Sequence, residues 1–70
     1  MEVREDVAWT AICIAHDAAF PELSVAADGL MASVRMVARD KQAQLDICRA
    51  YATGGLQAVH VLIERLRFGR

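Results

Sequence analysis

Asp46, Arg49, Thr53, Gln57, His60, Glu64 and Arg67 recur at alternating steps of three and four, the spacing that lines one face of an α-helix. The pattern predicts one helix from about Gln42 to Arg67. Nearly every other position in that stretch is apolar or small, so the apolar arc covers more than half of the helix. One neighbouring helix cannot bury so wide an arc.

Upstream, Pro21 followed by Glu22 suits the first turn of a helix, where the donor that proline lacks is not needed. Leu23, Ala27, Leu30, Val34 and Val37 mark an inner face and Ser24, Asp28, Arg35 and Arg39 the opposite one, predicting a helix from about Pro21 to Arg39. Asp40 is placed to cap the next helix, so the bend is set near it. The two segments, 21–39 and 42–67, form an antiparallel helical hairpin. Val3, Val7, Ala11, Ile14 and Ala18 give the first nineteen residues a helical stripe, and helix is preferred there. Trp9–Ile14 also fits a short buried strand, and periodicity alone does not decide between the two.

Gly54 and Gly55 lie in the apolar arc of the long helix. Each costs about 1 kcal/mol relative to alanine in a helix interior. Close approach of another backbone explains that cost best, because the polar stripe keeps its phase through the pair; a local kink is the competing account. Leu30, Gly54, Gly55, Leu62 and Leu66 are therefore the expected self-association residues.

Size sharpens that expectation. The 70 residues make a single small domain over 1–70, with 56% hydrophobic residues and one proline. A chain this short exposes much of its surface as a monomer, so a homodimer in an all-α, dimeric helical bundle is expected. The formal net charge of -1 hides a division: residues 1–30 sum to -5 and residues 31–70 to +4. Acids early and bases late compensate helix ends and also let an acidic partner or an antiparallel copy be oriented.

Candidate chemistry is sparse. Cys13, His16, Cys48 and His60 have the residue types of a zinc site. Cys48 and His60, however, stand several turns apart on one proposed helix, so no metal and no cofactor is expected. His16 beside Asp17 suggests an oriented imidazole, and His60 with Glu64 one turn on suggests a surface pair. There is no phosphate loop, paired-carboxylate motif or nucleophile elbow, so no enzymatic activity is expected. Three helices with Arg65, Arg67 and Arg70 in a tail would suit a small DNA-binding regulator, but a pI near 6.0 opposes it. No run approaches the roughly 20 apolar residues of a membrane span. The first residues are acidic rather than a basic leader, so a cytoplasmic location with reduced Cys13 and Cys48 is expected.

The stretch Phe20-Pro21-Glu22-Leu23-Ser24-Val25-Ala26-Ala27-Asp28-Gly29-Leu30-Met31, with Leu56-Gln57-Ala58-Val59-His60-Val61-Leu62-Ile63-Glu64 downstream, resembles a family of short uncharacterised bacterial helical-hairpin proteins. The resemblance implies a hairpin and no activity. In size and character the chain also resembles small phage or mobile-element proteins that inhibit host regulators. The function expected is a non-enzymatic protein–protein interaction module: a dimeric small regulator or inhibitor, for example an anti-activator of a transcription regulator. A purely structural homo-oligomerisation module is an alternative. Trp9, Met36, Arg39, Arg65 and Phe68 are the expected partner contacts.

Overall fold

The computed structural model describes residues 3–22 and 31–69. Helix α1 spans Val3–Ala19, α2 spans Ala32–Val37 and α3 spans Lys41–Arg67. There is no strand among the described residues, so the alternative strand at Trp9–Ile14 gives way to helix. α1 packs chiefly along α3, and α2 fills the angle between them. Ile47, Val59 and Ile63 from α3, Val37 from α2 and Cys13 from α1 are fully buried. Trp9, Ile12, Val34, Met36 and Leu62 close around them. Each fully buried aliphatic side chain is worth about 1.5–3 kcal/mol.

The helix expected from Pro21 to Arg39 is interrupted. Met31 sits in the left-handed region at φ 73, and α2 starts one residue later and ends at Val37. Leu23, Ser24, Ala27, Asp28 and Leu30 lie outside the described residues. The bend near Asp40 is present and its cause is visible. The Asp40 carboxylate accepts from the backbone N–H groups of Gln42 (3.0 Å) and Ala43 (3.2 Å), satisfying the free donors of the first turn of α3. Gln44 Nε2 donates back to the carbonyls of Ala38 (3.0 Å) and Val37 (3.4 Å), tying off α2. Asp40→Ala is expected to cost about 1 kcal/mol, read as a lower denaturation midpoint by circular dichroism.

α3 is not the uninterrupted rod that the polar stripe predicts. Gly55 has φ 68 and ψ -158 and kinks it into two arms. The need for the kink follows from which residues are buried. The first arm buries Ala43 and Ile47, the second Val59 and Ile63. In a straight helix at 100° per residue these pairs would point about 160° apart. They are opposite flanks of the over-wide apolar arc, and the turn at Gly55 brings both onto one core. Arg49, Thr53, Gln57 and Glu64 of the polar stripe stay exposed in both arms. Among the described residues, no helix is long and apolar enough to cross a membrane.

Candidate functional site

α1 is inverted. Its polar residues His16 and Asp17 are 0% and 1% exposed, whereas Val7 and Ile14 are 61% and 44% exposed. The stripe Val7, Ala11, Ile14 and Ala18, an obvious core face by pattern, points outward. Trp9, Ile12, Cys13 and His16 point inward instead.

The buried polar residues form a connected set. Asp17 stands opposite the start of α2, whose capping position holds Met31, a residue with no capping side chain. Asp17 supplies the cap from α1: its Oδ2 accepts the Ser33 backbone N–H at 3.1 Å, and its Oδ1 accepts the Ser33 hydroxyl at 2.5 Å. His16 Nδ1 lies 3.1 Å from the same Oδ1 and 3.3 Å from Ser33 Oγ. The other ring nitrogen of His16, Nε2, lies 3.0 Å from His60 Nδ1 on α3. His60 Nε2 then reaches the exposed Glu64 carboxylate at 3.5 Å. Phe20 stacks on the His60 ring, with centroids 3.9 Å apart and planes 14° apart, and closes the contact from the side.

The resulting line, Asp17–His16–His60–Glu64, runs from a buried carboxylate to an exposed one and ties all three helices. The adjacent His16–Asp17 pair and the His60–Glu64 pair are both present as their spacing suggests. The contact between the two histidines, 44 residues apart, is not legible from spacing at all. A serine, a histidine and an aspartate meet here without a nucleophile's geometry. Ser33 is 2% exposed and its hydroxyl donates to the carboxylate, while the remaining nitrogen of His16 is taken by His60. No three His, Cys, Asp or Glu side chains among the described residues are grouped as metal ligands.

Cys13, one turn before Asp17, is also buried. Burial foremost, then the nearby Asp17 and Cys48, push its thiol up to about 12, so it behaves as a small hydrophobe. Neither Cys13 nor Cys48 is joined in a disulfide.

Of the expected partner contacts, Arg39, Arg65 and Phe68 are exposed, the last with the Arg67 guanidinium 5.3 Å from its ring centre. Trp9 and Met36 are half-buried against the core. Of the self-association residues, Leu66 and Gly54 are exposed, Gly55 and Leu62 are half-buried, and Leu30 lies outside the described residues. Leu62 leans on the core. At Gly54 a Cβ would stand 2.9 Å from the Ala58 Cβ, whereas nothing lies within 4 Å of one at Gly55. Val7, Ala11, Ile14 and Tyr51, which are not among the expected contacts, leave an apolar surface on α1 and across to α3. Ala8, Ala11, Ile12, Ala15 and Tyr51 line a groove of about 350 Å³ there.

The chain matches no known family model, and no curated protein or solved structure is similar to it.

Proposed function

We propose that the chain is a non-enzymatic binding module that works as a homodimer joined through the outer face of α1. One observation carries this reading: every exposed side chain between residues 7 and 19 is apolar, namely Val7, Ala11, Ile14, Ala15, Ala18 and Ala19. A helix face whose exposed side chains over residues 7–19 are all apolar gains by leaving water. A second copy is the occupant because the face is complementary to itself. Val7 and Ile14 form a ridge, and the alanine-lined groove beside it accepts such a ridge from a two-fold related helix. In this reading α2 and α3 make an antiparallel hairpin that α1 completes, and two copies make the bundle.

The far end of α3 then faces a different protein. Arg65, Leu66 and Phe68 are exposed there, and an exposed aromatic among arginines is a common anchor in protein interfaces. A small regulator that occupies and blocks another protein's surface is the concrete form of this function.

Ala11→Glu tests the joint, because it places a charge at the centre of the face while α1 remains helix-compatible. Sedimentation equilibrium should show a dimer for the native chain and at least a hundredfold weaker association for the variant, with the helical circular dichroism retained. A native chain that stays monomeric at high concentration contradicts the proposal, as does a variant that dimerises as well as the native chain.

A further inference from the structure

We propose that the His16–His60 contact is an acid-sensitive latch that holds α1 to α3 and lets go when both rings are protonated. The inference does not depend on the dimer, since neither ring lies on the outer face of α1.

A nitrogen-to-nitrogen contact of 3.0 Å needs one N–H and one lone pair. His16 Nδ1 faces the Asp17 carboxylate, which already takes both donors of Ser33, so this nitrogen carries a proton. The two facing nitrogens, His16 Nε2 and His60 Nδ1, share a single proton, whichever ring donates it. His60 Nε2 faces Glu64 and holds a proton or not with the contact intact. Of the four ring nitrogens, two or three can be protonated while the line survives. A fourth proton sets N–H against N–H across the contact between two cations.

The other groups facing the pair do not relieve this. From α1 it is Asp17, already engaged with Ser33. From α2 it is the Ser33 hydroxyl, and from α3 Glu64, on the far nitrogen of His60. Phe20 covers the side of the contact and offers no acceptor.

The direction with pH follows from the proton count. Once apart, each ring can hold a proton on both of its nitrogens, which the latched pair cannot. The fully protonated open state holds one more proton than the latched one. Stability of the α1–α3 contact therefore falls as pH falls, opening growing by up to about tenfold for each pH unit.

Amide hydrogen exchange on the full chain, corrected for the intrinsic pH dependence of exchange, reads the opening directly. Protection of the α1 amides should fall by up to about tenfold per unit as pH is lowered across the mildly acidic range. His60→Asn should flatten that dependence, since an amide side chain can present either a donor or an acceptor to His16. Histidine ¹⁵N spectra of the native chain provide a check that needs no variant: protons on His16 Nε2 and His60 Nδ1 together should appear only in the open population. Protection of α1 that is indifferent to pH, equal pH dependence in the native chain and His60→Asn, or a doubly protonated pair in a fully protected α1 would each defeat the proposal.

Discussion

Asp17→Ala is expected to cost about 3–5 kcal/mol, the scale seen when one member of a buried polar pair is deleted. Three donors meet on that carboxylate: the Ser33 backbone N–H, the Ser33 hydroxyl and the His16 ring. All belong to residues no more than 2% exposed, so water cannot replace what is removed. A domain of this length has of order 3–10 kcal/mol to lose, and the substitution should leave a large unfolded fraction at room temperature. Ser33→Ala removes one hydroxyl and keeps the backbone donor satisfied, so it should cost nearer 1 kcal/mol. Urea titration followed by circular dichroism separates the two. An Asp17→Ala midpoint close to the native one would mean that the buried cluster contributes little to holding the helices together.

Gly55→Ala is expected to be the other severe change, at about 1–3 kcal/mol, although a methyl group there touches nothing. The cost is all in the backbone: φ 68 with ψ -158 is a region that L-residues other than glycine essentially never occupy. The mirror image of those angles is ordinary extended backbone, so D-alanine at 55, introduced by chemical synthesis, should be tolerated and should stabilise by a few tenths of a kcal/mol to about 1. Opposite signs for the two enantiomers would locate the effect in the dihedral angles. Equal destabilisation by both would point to crowding instead. Gly54→Ala is a different case: its methyl group meets the Ala58 Cβ at 2.9 Å, and the gain in helix propensity offsets part of the clash.

These two positions show what the sequence reveals and what it hides. The polar stripe of α3 and the cap at Asp40 are local, and both can be read residue by residue because spacing and side-chain chemistry determine them. The unbroken phase of the polar stripe points to a straight helix, and the structure has a kink at Gly55. Polar periodicity says where water is. It does not say which flank of a wide apolar arc each half of the helix buries, and here the halves bury opposite flanks.

α1 misleads for a related reason. Its apolar stripe and its inward face are different sets of residues, because Asp17 is drawn inside to cap α2 and His16 to meet His60. A tertiary demand thus overrides the helical pattern. A cue exists only once α2 is known to start at Ala32, because Met31 before it offers no capping side chain. Which carboxylate, and which second imidazole, depends on contacts between residues 16 and 44 positions apart.

The pairing of the first helix with the last also bears on how the molecule is made. Residues 3–19 leave the ribosome before 59–63, the segment that completes their packing. Until that segment follows, α1 has neither His60 for its ring nor Val59 and Ile63 for its inner side chains, and its outer side from residue 7 on is apolar as well. The nascent segment is therefore sticky on two sides until the end of α3 emerges. Truncated chains ending before Val59 should need a chaperone to stay dispersed.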